Sequence, residues 1–188
     1  MSQAKTLTPK ELDQMLGYIA SRSFALRNRV MLLTGFWSGM RVGEIASLSI
    51  GDVMNTDGTV KAEVRLTAEQ TKGRQPRTVF LPLKLRDELG SYLSLRQPVN
   101  PKHPLFITAG RKAFTAGVMT QHFYWLFRRA GIPGASSHTM RRSFITNLAS
   151  KGVGVRVLAS LAGHKSISVT QKYIDVNDDM KRNAVELI

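Results

Sequence analysis

The 188-residue chain predicts an α+β domain, mostly helical with one small antiparallel β-sheet. Three observations carry the prediction. Apolar residues recur at helical spacing along most of the chain, and only one pair of short segments alternates polar with apolar residues. The hydrophobic fraction of 43% is enough to build one sizeable core.

Thr8-Pro9-Lys10-Glu11 has the form of a capping box with proline at the first helical position. A helix starts there and buries Leu12, Met15, Leu16 and Ile19. A second helix is expected over residues 24–37, with Leu26, Val30, Leu33 and Trp37 inward and Ser38-Gly39 ending it. A short helix follows over residues 42–48, then a turn at Asn55-Thr56-Asp57-Gly58. Residues 61–66 and 78–81 read as paired strands, joined by a polar connection that holds Lys72-Gly73-Arg74. Further helices are expected over residues 84–95, 118–130, 139–150, 155–161 and 168–174, with one more over 178–187. Residues 97–104 are the best linker candidate, but the stretch is short enough to lie inside the domain.

Lys and Arg number 27 against 13 Asp and Glu, a formal net charge of +14. Residues 89–174 hold twelve of these cations and no acid; acids return only at Asp175, Asp178, Asp179 and Glu186. A solvated surface intersperses the two signs, so an acid-free block points to a polyanionic partner, most commonly nucleic acid. A basic surface kept for solubility is the plain alternative. Anionic lipid is disfavoured, because the cations are spread over many elements rather than along one amphipathic helix. The chain has no Cys, which excludes disulfides, thiolate metal sites and a Cys nucleophile. No apolar run reaches the ~18 residues that span a bilayer, and the N-terminus lacks a signal-peptide apolar region. The expectation is a soluble cytoplasmic protein with no membrane partner.

Four segments concentrate unusual polar residues. In Ser38-Gly39-Met40-Arg41-Val42-Gly43-Glu44 an arginine opens a helix. Free N–H groups at a helix start suit an anion, and a guanidinium adds a planar fork of donors that fits phosphate. A simple Arg41–Glu44 pair is the alternative. Lys72 lies between the two strands, where a lysine is usually just solvated, yet a loop ammonium can also reach a leaving group and protonate it. In His138-Thr139-Met140-Arg141-Arg142-Ser143, His138 and Arg141 share a helix face, and Arg142 is rotated toward solvent or a DNA backbone. Ala162-Gly163-His164-Lys165-Ser166 is followed by Tyr173. A helix-end cap and a core tyrosine with a wet tip are the plain alternatives for His164 and Tyr173.

Together, residues 34–176 resemble the catalytic domain of the tyrosine recombinases, the phage integrase family. That family presents an R-x-G-E segment, a Lys on a β-hairpin, an H-x-x-R pair, a later Gly-His and a following Tyr. The counterparts here are Arg41-Val42-Gly43-Glu44, Lys72, His138-Thr139-Met140-Arg141, Gly163-His164 and Tyr173. Arg142 and Met140 stand where the family commonly has a His and a Leu. Most members also carry an N-terminal helical domain that clamps DNA. This chain starts about where the catalytic domain would, so residues 1–188 are expected to be that single domain, with the clamp domain absent.

The resemblance implies the DNA breaking-rejoining fold. It implies site-specific cleavage and rejoining of duplex DNA through a covalent 3′-phosphotyrosine, with Tyr173 as nucleophile and no metal, ATP or other cofactor. Arg41 and Arg141 would hold the non-bridging oxygens, and His164 would add a hydrogen bond. Lys72 would protonate the departing 5′ oxygen, His138 would be the general base or a proton relay, and Glu44 would orient Arg41 or His138. The residue chemistry agrees. A phenol ordinarily titrates near pH ~10 and needs help to ionise, and phosphoryl transfer is mostly positioning and charge stabilisation. No carboxylate cluster suited to magnesium is visible. Arg74, Arg111, Lys112, Arg128, Arg129, Arg142 and Lys165 are candidate DNA contacts.

The expected partner is double-stranded DNA, on which copies form a homo-dimer or tetramer, with a monomer in free solution and an accessory DNA-bending or clamp protein. The tail is acidic, then apolar at Met180, Ala184, Val185, Leu187 and Ile188. It docks on a neighbouring subunit, as often in this family, or packs on its own domain. Two other functions stay open: a non-catalytic DNA-binding regulator on the same fold, and a type IB topoisomerase-like relaxing enzyme. The complete reactive set argues against the regulator, whereas the topoisomerase shares the phosphotyrosine step.

Overall fold

The computed structural model describes residues 5–97, 100–174 and 178–186. Its elements, in chain order, are α1 (Pro9–Ala20), α2 (Ala25–Ser38), α3 (Val42–Ser47), α4 (Ile50–Val53), β1 (Glu63–Leu66), β2 (Arg77–Phe80), α5 (Leu83–Arg96), α6 (Ala116–Arg129), α7 (Thr139–Ala149), α8 (Val155–Ala162), α9 (Ile167–Gln171) and α10 (Asp178–Val185). The α+β expectation holds: helices surround one antiparallel pair of strands.

Local chemistry starts the helices where the sequence places them. The Thr8 hydroxyl accepts from the Glu11 N–H, and Glu11 accepts in return from the Thr8 N–H at 3.0 Å, which closes the capping box of α1. The same reciprocal pair at Ser49 and Asp52 starts α4, an element the periodicity did not reveal because it is only one turn long. Gly39 ends α2 at φ +66°, a left-handed conformation that costs glycine nothing.

The expectation of one inward stripe on α2 is corrected. Val30 and Leu33 are buried, but so are Met31, Leu32, Thr34 and Phe36, while Leu26 and Trp37 are only partly buried. The reason is tertiary: α2 is the central helix and packs against α7, α5, α1 and α3. Close approach to α7 needs Gly35, where an added Cβ would lie 2.9 Å from the Met140 Sδ. The core continues through Ile45, Leu48, Val64, Leu66, Leu89, Phe106, Phe123 and Phe127. Burying each such side chain stabilises the fold by about 1.5–3 kcal/mol.

In the hairpin, Glu63 faces Phe80 and Leu66 faces Arg77. Val64, Leu66 and Val79 point inward, as alternation requires. β1 starts at Glu63 rather than at residue 61, because the Lys61 N–H is drawn to the Val53 carbonyl at 2.8 Å. The linker candidate does lie within the domain. The Ile50 N–H reaches the His103 carbonyl and the Leu105 N–H reaches the Leu48 carbonyl, which ties the segment to α3 and α4; Pro98 and Val99 lie outside the described residues.

α9 ends at Gln171, short of the expected residue 174. The Tyr173 N–H bonds the Thr170 carbonyl at 2.9 Å and the backbone tightens into a turn, so Tyr173 lies beyond its helix. α10 is present, but Leu187 and Ile188 of the tail lie outside the described residues, as does Asp175. Among the described residues no helix is long and apolar enough to cross a membrane.

Candidate active site

The C-terminus of α8 organises the site. Gly163, at φ +62°, ends the helix with its N–H on the Ser160 carbonyl, and the His164 N–H takes the Ala159 carbonyl at 2.9 Å. That turn leaves the next three carbonyls free at the negative end of the helix dipole. Each is taken by a different arginine. Arg77 Nη1 donates to Leu161 O at 2.9 Å, Arg141 Nη2 to Ala162 O, and Arg41 Nη2 to Gly163 O at 3.4 Å. Three guanidiniums from β2, α7 and the start of α3 thus meet at one point.

One carboxylate lies among them. Glu44 is 1% exposed; its Oε2 accepts the Arg41 N–H and the Arg77 Nη2, both at 2.7 Å, and its Oε1 accepts the Arg41 Nη1 at 3.0 Å. Burial pushes the Glu44 carboxyl up, but hydrogen bonding and charge from Arg77, then Arg41, outweigh it and hold the group below the usual carboxylate range. Three cations against one anion leave the cluster positive and suited to an anionic guest.

Arg141 is buried and also donates from Nη1 to Gly39 O at 2.7 Å. Burial, then the Arg41 charge, pulls its pKa down to about 9, so it stays charged at neutral pH. Its carbonyl partners use two of its five N–H groups and leave three for a ligand. His164 places Nδ1 2.8 Å from the hydroxyl of the fully buried Thr170. Burial, followed by the charges of Arg141, Arg41 and Arg77, lowers its pKa to about 4, so the ring is neutral at pH 7. Tyr173 stacks on this imidazole, with ring centroids 5.8 Å apart and planes 19° from parallel.

Arg41, Lys72, Arg77, His164 and Lys165 line a cleft of about 370 Å³ in front of this cluster. Lys72 rides an exposed turn whose base is held by Thr71, which donates to the Gln75 carbonyl at 2.8 Å. Lys165 approaches from the opposite wall, where an added Cβ on Gly73 would lie 3.5 Å from its Cε. The structure therefore brings together Arg41, Glu44, Arg141, His164 and Tyr173, with Lys72 across the cleft. His138 is placed differently. It caps α7 one turn before Arg141, its side chain is exposed, and among the described residues its imidazole has no hydrogen-bond partner. The shared face with Arg141 is thus only nominal, since one side chain points to solvent and the other into the core.

Arg142 has a further contact. It is half-buried, and its guanidinium lies 5.4 Å from the Tyr173 ring centroid, a contact the sequence did not suggest. Arg74 is exposed in the Lys72 turn at φ +49°, and Arg111 and Lys112 occupy an exposed turn closed by the Thr108 N–H on the Lys112 carbonyl. Arg128 and Arg129 pack on the exposed Trp125, and Arg128 donates to the Tyr124 hydroxyl at 2.8 Å. Sequence reasoning missed Arg77 and Thr170. Arg77 had a signal: it lies two residues before the buried Val79, so strand alternation turns it inward. Thr170 had none. Among the described residues no group of three His, Asp or Glu could hold a metal ion.

A family model described as the phage integrase family matches residues 5–180. Tyrosine recombinase XerA of Pyrococcus furiosus is 30% identical over 187 residues, covering 97% of this chain and 61% of that protein. A crystal structure of XerA recombinase superposes on 100% of this chain and 66% of its own, with TM-score 0.78 and 25% identity. A crystal structure of XerH site-specific recombinase bound to palindromic difH substrate, a post-cleavage complex, matches 98% of this chain and 53% of its own, with TM-score 0.72 and 22% identity. The chain spans about six-tenths of the length of the curated relatives it matches. With the family model covering all the described elements up to the start of α10, the chain belongs to the phage integrase family of tyrosine recombinases.

Proposed function

We propose that this chain cleaves and rejoins duplex DNA at specific sites through a 3′-phosphotyrosyl intermediate on Tyr173. The observation that carries this is the stacking of Tyr173 on His164 beside three guanidiniums gathered at the end of α8. Tyr173 Oη attacks the scissile phosphorus, an O–P bond to tyrosine forms, and the bond to the 5′ oxygen breaks. Arg41 and Arg141 hold the non-bridging oxygens with the N–H groups that the backbone carbonyls leave free. A neutral His164 whose Nδ1 accepts from Thr170 turns an Nε2–H toward the phosphate. Lys72 delivers the proton to the departing 5′ oxygen, and exposed His138 receives the phenol proton when DNA covers the face. The phosphotyrosine retains the energy of the broken bond, so the 5′ hydroxyl reverses the step and rejoins a strand without ATP. Arg77 and Glu44 keep Arg41 in place.

Membership of the family and the acid-free basic block over residues 89–174 support duplex DNA as the partner. On it copies assemble as a dimer or tetramer, together with an accessory DNA-bending or clamp protein. The exposure of Ala184 and Val185 on α10 favours a tail that docks on a neighbouring protomer over one that packs at home. A nicked suicide duplex with chelator present should trap a covalent complex with the wild type and none with Tyr173→Phe. Trapping by the Phe variant would remove the nucleophile assignment. A two-site exchange assay beside supercoil relaxation separates recombination from relaxation alone.

A further inference from the structure

We propose that α7 holds the nucleophile as well as the phosphate, with Arg142 as the positioning residue for Tyr173; this rests on the reading of Tyr173 as nucleophile. Neighbours on a helix point about 100° apart. Arg141 turns into the protein and ends on the carbonyls of Gly39 and Ala162. Arg142 turns the other way and lays its guanidinium against the Tyr173 ring. One turn further on, Thr146 Oγ1 donates to the Tyr173 carbonyl at 3.2 Å. Residues four apart share a helix face. One face of α7 therefore grips Tyr173 twice, by its ring and by its main chain.

The grip matters because, among the described residues, few other contacts hold Tyr173. Tyr173 lies beyond the end of the five-residue α9, so no regular helix hydrogen-bonding sets its ring. Among the described residues its other hydrogen bond is the N–H to the Thr170 carbonyl, and its other ring contact is the stack on His164. Arg142 is free to serve it: among the described residues no carboxylate pairs with Arg142, and the aromatic face is its partner. A guanidinium over a phenol ring is attracted by the ring's negative face, and it restricts the ring without blocking Oη. The arrangement joins the two halves of the reaction, since a shift of α7 moves the Arg141 phosphate contact and the phenol together.

The test is single-turnover cleavage of a nicked suicide duplex at saturating DNA, with affinity measured in parallel at several salt concentrations. Arg142→Gln should slow covalent-complex formation about fivefold while leaving Kd and its salt slope unchanged. Arg142→Lys, which keeps a cation for the ring, should recover most of that rate. Thr146→Val, a change small enough to leave folding intact, should slow the same step. Arg142 would be a phosphate contact, and the proposal overturned, if Arg142→Gln lowers the salt slope by about one and leaves the saturated rate alone. Unchanged rates in Arg142→Gln and Thr146→Val would overturn it too. Should Arg142→Gln fail to fold, Thr146→Val and Arg142→Lys decide. A covalent complex formed by Tyr173→Phe would defeat the nucleophile reading itself, a separate outcome.

Discussion

Arg77 Nη2 lies 2.7 Å from Glu44 Oε2, and the same guanidinium reaches the Leu161 carbonyl at 2.9 Å. One side chain from the hairpin thus ties α3 to the end of α8. Arg77→Ala leaves the buried Glu44 with one direct ion pair, to Arg41, among the described residues and should cost about 3 kcal/mol in urea unfolding. Its suicide-substrate cleavage should fall as well, because Arg41 is then drawn toward Glu44 and away from phosphate.

The same carboxylate sets an acid limb. Glu44 titrates below its ordinary value in the folded protein, so the unfolded chain takes up the proton first as pH falls. Its contribution is whole above the ordinary carboxylate pKa of ~4.3 and is lost as pH drops through the lower folded value. The stability gap between wild type and Glu44→Gln should therefore be flat from pH 7 to about 5 and close below ~4.3. Urea midpoints across pH check this.

His164 gains a charge on protonation where Glu44 loses one, yet its pH dependence runs in the same direction. Its folded pKa of about 4 lies below the ordinary value of 6.5, so the ring is protonated more readily in the unfolded chain. Its contribution to stability is present above pH 6.5 and disappears as pH falls to about 4. Imidazole NMR should show this ring neutral from pH 7 down to about 4. Saturating inorganic sulfate, an anion for the arginine cluster, should move the titration upward.

Gly39 joins stability to chemistry. Its φ of +66° disfavours any side chain, and an added Cβ would lie 2.4 Å from the Phe144 ring. Gly39→Ala should cost about 2–3 kcal/mol and displace the carbonyl that holds Arg141, slowing cleavage. Gly58 has a φ of +85° with nothing within 4 Å, so Gly58→Ala should cost only about 1 kcal/mol and leave cleavage unchanged.

Deletion of residues 178–188 should weaken DNA-dependent self-association without changing the affinity of one protomer for a half-site. Unaltered assembly in sedimentation on DNA would return the tail to its own domain.

Much of the site was visible along the chain. Capping and the periods of 3.6 and 2 are local properties, so the helix starting at Thr8, the α3 start at Arg41 and the hairpin around Lys72 could be read from neighbours in sequence. The failures are equally physical. The stripe on α2 could not be foreseen, because whether a helix is central depends on how many others pack on it. The end of α9 before Tyr173 depends on a single tightened turn.

The sequence by itself determined the inventory and its order: Arg41, Lys72, His138, Arg141, His164 and Tyr173 on an acid-poor, mostly helical chain. Tertiary structure alone decided the company they keep. The end of α8 gathers Arg77, Arg141 and Arg41 from 84, 21 and 122 residues away, Arg142 lies on Tyr173, and His138 faces outward. The physical reason is that three orphan carbonyls at a helix end attract donors wherever in the chain they arise, and no local pattern records that pull.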